Sequence, residues 1–260
     1  MNVADYSFLF WVTAVTAVLL LGVSKAGFGT GAGLVATPLL ALTIPVTDAA
    51  AILLPLLILM DALSIRYYYR SFDRDSIRVM LPGALVGIVL GSVFFGYLSD
   101  NERILEVGIG VLALLFVVYQ TIQVLFSTSL ERLKMPNTAG VLLGSVAGFS
   151  STVAHAGGPP SVIYLLPQHF SREIFVGTTV VFFTIVNLIK LVPYGMLGLL
   201  SVGNLTIVVI LAPLCLLGVR LGIFANRHFN DVWFTRIVYA LLFLTGIQLI
   251  VGHNLLDFVF

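Results

Sequence analysis

Of 260 residues 59% are hydrophobic and 10% charged, with thirteen Lys or Arg against twelve Asp or Glu and a net charge of +1. A soluble domain carries about 25% charged residues, so this surplus of apolar side chains requires lipid. The near-neutral balance, with no basic cluster interleaved with aromatics, argues against nucleic acid as a partner.

The first apolar run covers residues 6–24. No Lys or Arg precedes it and no cleavage motif follows, so the expectation is a retained first helix and not a removable signal peptide. Segments at 31–42, 49–68, 79–98 and 104–126 complete a first set of five. A polar linker at 127–137 then carries Glu131, Arg132, Lys134 and Pro136. Five more segments follow at 138–152, 157–166, 174–194, 205–225 and 233–251. The longer runs hold about 20 residues, enough to cross ~30 Å of hydrocarbon at 1.5 Å per residue. They lack the alternation of barrel strands, and backbone polar groups cannot stay unpaired in lipid, so the expected fold is an all-α polytopic membrane protein. Its units are a first transmembrane repeat (1–126), a cytoplasmic linker (127–137) and a second repeat (138–260). No polar stretch reaches the ~50 residues that a soluble domain needs. A lone Cys215 inside an apolar run rules out an intramolecular disulfide and reads as a small buried hydrophobe.

Sliding one half over the other superposes Gly22 on Gly148 and Gly31 on Gly157; after a short gap, Gly87 falls on Gly218, Gly91 on Gly222 and Asp100 on Asp231. The matches keep order along the hydropathy pattern, as repeats in transporters do. Orientation follows from the basic residues. If the first two segments of each half form a hairpin or a re-entrant dip, the halves are inverted. One face then receives Arg66, Arg70, Arg74, Arg78, Arg132, Lys134, Arg172, Arg220, Arg227, Arg236 and Lys25, leaving Arg103 and Lys190 on the other. If each Gly-rich stretch only kinks a long helix, that bias largely disappears. The inverted arrangement, with both termini outside, is therefore expected.

Two stretches break the helical pattern at matching places, 25–33 in the first half and 150–160 in the second. Glycine permits close backbone approach, and the tandem Pro159-Pro160 removes two donors while favouring the first turn of a new helix. A helix that starts inside the membrane offers N–H groups and the positive end of its dipole, which suits an anion. The alternative is that these small residues only allow close helix packing. On the first reading the substrate-binding residues are Lys25, Gly29, Thr30, Gly31 and Gly33 with Ser150, Ser151, Thr152, His155, Gly157 and Gly158.

Ionisable residues in apolar segments cost ~2.5–3.5 kcal/mol on insertion scales, so each asks for a reason. Lys25 either supplies positive charge to the substrate or snorkels to the interface. His155 either donates to an oxyanion and carries a proton, or holds nearby backbone. Asp61, matched by Asn187 in the repeat, is expected to pair with Arg66, with a proton relay through Asp61 and His155 as the second account. Lys190, just before Pro193, is expected to snorkel. The hydroxyls of Ser150, Ser151 and Thr152 suit either a helix cap or substrate oxygens.

The Gly-rich stretch 24–38, the stretch 148–160 and the spacing of the apolar segments together resemble the sulfite exporter TauE/SafE family of bacterial and plant membrane proteins. The resemblance covers nearly the whole chain. It implies export of a sulfur-containing anion such as sulfite or an organosulfonate, driven by an ion gradient, from a multi-pass position in the cell inner membrane. It supplies no binding pattern to carry over residue by residue.

A secondary transporter for a small anion is thus the expected function, with an anion channel as its rival. A membrane-embedded enzyme is a third class. Its zinc site would need clustered ligands, yet His155, His169, His228 and His253 are scattered, and only His155 could serve as base to Ser150 or Ser151. No cofactor and no metal are expected. The expected partners are the anion and the lipid bilayer, with a homodimer left open.

Overall fold

The computed structural model describes residues 6–28, 32–99, 101–130, 135–228 and 231–252. Among these the chain is helical, with no strand. Its α-helices are α1 (Phe8–Val23), α2 (Ala36–Leu40), α3 (Val46–Tyr68), α4 (Arg74–Leu98), α5 (Glu102–Leu130), α6 (Asn137–Ala154), α7 (Gly158–Leu165), α8 (Arg172–Met196), α9 (Val202–His228) and α10 (Asp231–Val251). A π-turn, Ser24–Phe28, prolongs α1, and a 3₁₀ turn, Ala32–Val35, leads into α2. Seven helices in the described residues are long and apolar enough to cross a membrane; α2, α6 and α7 are not among them.

Local chemistry sets the helix starts. Ser7 accepts from Phe10 N at 3.1 Å, Asp73 from Ser76 N at 2.7 Å and Ser171 from Ile174 N at 3.4 Å, so α1, α4 and α8 each begin on a side-chain cap. Pro45 and Pro136 stand at the N-caps of α3 and α6, where a missing N–H costs nothing.

Without a hydrophobic drive between helices in lipid, backbones meet where side chains are small. Helix α4 lies against α6, and α1 against α9. A Cβ on Gly87 would fall 2.7 Å from Phe149 N, and one on Gly148 would fall 2.8 Å from Ala84 Cα. On the other pair, a Cβ on Gly22 would come 2.9 Å from Gly218 Cα, and one on Gly222 would come 2.7 Å from Val23 O. Of the glycines that superpose between the halves, Gly22 and Gly148, Gly87 and Gly218, and Gly91 and Gly222 thus lie at the contacts of α1 with α9 and of α4 with α6. Helices α3 and α8 pack on each other, as do α5 and α10, while α3 meets α9 and α4 meets α8. Exchanging the halves leaves this pattern of neighbours unchanged.

Hydrogen bonds fix which helix ends share a side. Thr13 and Thr43 hydroxyls meet at 3.2 Å, so the chain that leaves along α1 has returned towards its start by residue 43. Near that end Glu102 accepts from Val46 N at 3.2 Å, Asn204 donates to Asp48 at 3.0 Å, and Arg103 donates to Leu249 O at 2.8 Å. At the opposite end Tyr68 donates to Ala26 O at 2.9 Å, Asn226 donates to Gly27 O, and Asp73 N donates to Thr178 at 2.9 Å. Gly140, near the start of α6, faces Tyr164, near the end of α7, and Val79 of α4. The first hairpin thus opens at one end of the bundle and the α6–α7 hairpin at the other, and α3 and α8 run in opposite directions.

Replacing Gly87 by Val should overpack the α4–α6 seam and cost about 1–3 kcal/mol. At Gly108, where nothing lies within 4 Å of an added Cβ, an Ala should be tolerated. Thermal unfolding of the two purified variants in detergent measures the difference, and equal melting would contradict the packing described.

Candidate functional site

The π-turn after α1, the end of α6, the start of α7 and the middles of α3 and α8 converge on one buried polar cluster. Lys25 sits in the π-turn, where its side chain is 11% exposed, and its ammonium pairs with Asp61 Oδ1 at 2.7 Å. Asn187 of α8 donates to the other oxygen, Oδ2, at 2.8 Å. Asp61 therefore pairs with Lys25, which corrects the expected partnership with Arg66. A carboxylate that is 1% exposed needs a cation beside it, and the break in α1 delivers one.

Lys190 does not snorkel either. It is wholly buried, and its ammonium donates to Ser151 O at 2.8 Å, Ser151 Oγ at 3.0 Å and His155 Nδ1 at 3.0 Å. The far ring nitrogen of His155 lies 3.0 Å from Ala50 O. A carbonyl only accepts, so that nitrogen carries the hydrogen, and the neutral ring is free to accept from Lys190 through Nδ1. Backbone geometry allows this pose, because His155 caps α6 in the left-handed region at φ 52°.

The other residues singled out by sequence divide into two groups. Ser151, His155 and Gly158 line a central cavity together with Lys25, Ser24 and Asn187. Gly158 opens α7 ahead of Pro159 and Pro160, which have no N–H, so it supplies the donor of that first turn. Gly157 is the N-cap and packs under Ala147 O and Phe183. Ser150 instead donates to Val146 O at 2.7 Å and Ala156 O at 3.1 Å, while Thr152 donates to Gly148 O at 2.8 Å. Those two hydroxyls close the end of α6 and do not line the cavity. Gly33 lies in the 3₁₀ turn, and Gly29, Thr30 and Gly31 fall outside the described residues.

Sequence reading missed Ser24 and the two tyrosines. Ser24 is 1% exposed, lines the cavity and has no hydrogen-bond partner for its hydroxyl among the described residues. Tyr68 donates to Ala26 O at 2.9 Å, and Tyr194 donates to Thr152 O at 2.8 Å. Donors and acceptors alike stand 126 residues apart, the separation of Asp61 and Asn187. Each tyrosine ties the middle of a half to the break at the end of its first helix, and following that register beyond the glycines would have found both.

The cavity leaves about 60 Å³ for water centres. At ~15 Å³ for each water centre this is room for about four, the size of a small polyatomic ion. Lys25 and His155 line the cavity, and behind them Asp61 and Lys190 complete the cluster, so two amines stand against one carboxylate. Among the described residues no group of three or more His, Cys, Asp or Glu is placed to hold a metal.

A model of the sulfite exporter TauE/SafE family matches residues 14–249, nearly the whole chain. The chain belongs to this family. TauE/SafE proteins are membrane exporters of sulfite or sulfonates, which makes this chain a multi-pass membrane protein of a transport family. No curated protein and no solved structure matches it.

The cluster should behave as a coupled set. Asp61→Leu strands the Lys25 ammonium and should cost about 3–5 kcal/mol, whereas the Lys25→Met, Asp61→Leu double variant should recover most of that loss. Unfolding of the detergent-solubilised proteins reads it, and an additive double variant would contradict the pairing.

Proposed function

We propose that this TauE/SafE protein is a secondary transporter that exports a small oxyanion, sulfite or an organosulfonate, coupled to an ion gradient with the proton as the coupling ion. The observation that carries this reading is the charge deficit of the central cluster. Lys25 lines the cavity and Lys190 lies just behind its wall, bonded to the lining residues Ser151 and His155, yet among the described residues of the cluster only Asp61 offers a formal negative charge. An oxyanion entering the cavity would complete it, meeting the Lys25 ammonium, the unpartnered Ser24 hydroxyl, and the Gly158 N–H at the positive end of α7.

Asp61 already occupies the place beside Lys25 that a substrate oxygen would take. Carboxylate and substrate compete there, and a proton on Asp61 ends the competition. Proton and anion would then load the site together, and net export would run where the outward anion gradient exceeds the inward proton gradient. His155 and Lys190, in contact at 3.0 Å, form a second pair able to share a proton.

Two inverted repeats supply the alternating-access frame, with the site at their interface. The reading is supported by hairpins that open at opposite ends, by the opposed directions of α3 and α8, and by a neighbour pattern indifferent to exchange of the halves. Arg70, Arg74, Arg78, Arg172 and Arg236 all lie towards the end where α4, α8 and α10 begin, which by the positive-inside rule faces the cytoplasm. Cysteine labelling from each side should find residues 69–78 cytoplasmic and 195–204 external. Finding both on one face would end the inverted arrangement.

Purified protein in liposomes should show saturable counterflow of sulfite or methanesulfonate, driven by a pH gradient. Flux that never saturates would mean a channel, and alkali-cation flux without anion flux would refute the reading. In Asp61→Asn, counterflow should persist while the pH gradient loses its drive. His155→Ala should weaken anion binding by about 10-fold to 150-fold, the worth of one bond in a charged network. His155→Asn, which tolerates the left-handed backbone, separates the loss of the ring from strain. A His155→Ala protein that melts normally and binds with wild-type affinity would remove His155 from the site.

A further inference from the structure

The central cavity is not evenly polar. Along α8 its lining runs from Asn187 through Phe183 and Val180 to Thr179, a little over two turns, or about 12 Å at 1.5 Å per residue. The hydrogens an anion could use are tied to the Asn187 end. Lys25 is held there through Asp61, which also accepts from Asn187, and Ser151 is held there through Lys190, one turn beyond Asn187. Lys25 gives one hydrogen to Asp61 at 2.7 Å and makes only a long contact, 3.5 Å, with Leu57 O. Ser151 Oγ accepts from Lys190 at 3.0 Å and keeps its own hydrogen. At the other end the Thr179 hydroxyl already donates to Val176 O at 2.8 Å, and between the two ends stand an aromatic ring and a valine.

Phe183 is the wall of this apolar stretch, and its ring is fixed. It meets Phe182 edge to face, with centres 5.1 Å apart and planes at 72°, and a Cβ on Gly157 would come 2.8 Å from its Cε1. The absent side chain at the start of α7 is therefore what lets the ring lie there. Leu21 and Leu57 add apolar surface from the first half. Room for about four waters amounts to ~120 Å³ of liquid, more than a bare sulfite fills. With sulfite bound, the rest of that length would hold water against a ring and aliphatic side chains, whereas a hydrocarbon chain would bury against them.

We propose that the central cavity is matched to a short alkanesulfonate in preference to sulfite, with the sulfonate group held by Lys25 and Ser151, the hydrocarbon tail lying along Val180 and Phe183, and Phe183 setting the tail length. The inference rests on the transporter reading above and narrows its substrate. The three oxygens of an alkanesulfonate sit at one end of the molecule and all accept hydrogens, while its carbon end accepts none. The cavity has the same polarity, with its available hydrogens at one end and apolar surface beyond them. A tail that ended in a carboxylate would give up its water beside Phe183 and Val180 and find no hydrogen to replace it, because the Thr179 hydroxyl is already committed to Val176 O.

The test uses the full chain in liposomes, with sulfite, sulfoacetate and the straight-chain alkanesulfonates as probes of counterflow. The half-saturating concentration should fall about 4-fold from methanesulfonate to ethanesulfonate, the worth of one buried methylene, and rise again once the tail outgrows the cavity. Sulfite and sulfoacetate should both need higher concentrations than ethanesulfonate. Phe183→Ala should move the best-bound tail towards butanesulfonate and pentanesulfonate, which the intact ring excludes; Phe183→Leu serves if the smaller side chain impairs folding. Sulfite saturating at or below the concentration that ethanesulfonate needs, or a tail-length profile that neither Phe183 variant moves, would overturn the match while leaving the transporter reading standing. Absence of any anion transport by the wild-type protein would overturn the transporter reading and this inference with it.

Discussion

Lys190 lies at zero solvent exposure in the middle of α8, and an ammonium there must find every one of its partners inside the protein. Taking such a group out of water costs several kcal/mol even after relaxation, so its three hydrogens have to be matched. Two of them go to Ser151 and the third to His155. Ser151 O accepts from Lys190 as well as from His155 N, at 3.1 Å, in the last turn of α6, and His155 sits in the left-handed region with its ring against Lys190. The end of α6 thus gathers the three acceptors that burying this charge requires.

The same logic runs through the first half with the charges redistributed. The π-turn after α1 loosens the backbone just where Lys25 has to reach Asp61. Tyr68 and Tyr194 then hold the two breaks to α3 and α8, with like bonds of 2.9 and 2.8 Å. Close approach of α1 to α9 and of α6 to α4, through glycines, brings the broken ends to the interface between the halves. Packing, backbone irregularity and buried charge are one arrangement, in which none of the three would be stable without the other two.

Much of this frame was legible in the sequence because lipid leaves few choices. Apolar runs near 20 residues must be helices, and the boundaries read from them fall within a few residues of those observed for most elements, such as 174–194 against Arg172–Met196 for α8. The breaks were legible from Gly and Pro. Side-chain partnership was not. Asp61 and Arg66 are close in sequence on one helix, which made their pairing the simple expectation, but Arg66 lies towards the aqueous end of α3 while Asp61 faces the core. Lys190 looked interfacial because Pro193 suggested a helix end, yet α8 runs through that proline to Met196. In both cases the deciding partner came from another helix or turn of the same half, more than thirty positions away, where periodicity carries no signal.

The halves share a scaffold but not their charges, and that difference has a physical reason. Where the halves meet, Asp61 accepts from Asn187, the residue 126 positions on in the register of the matched glycines. Two carboxylates at 2.8 Å could not both be ionised in a site without water, whereas an amide can donate to a carboxylate and leave its charge intact. In the same register Lys25 corresponds to Ser151, and Lys190 to Ser64. Each buried amine is therefore matched by a hydroxyl in the other half, never by a second amine. A strictly symmetric cluster would hold two carboxylates and up to four amines around about 60 Å³, with like charges in contact. Dividing the charged members between the halves keeps the charges separated enough to be buried.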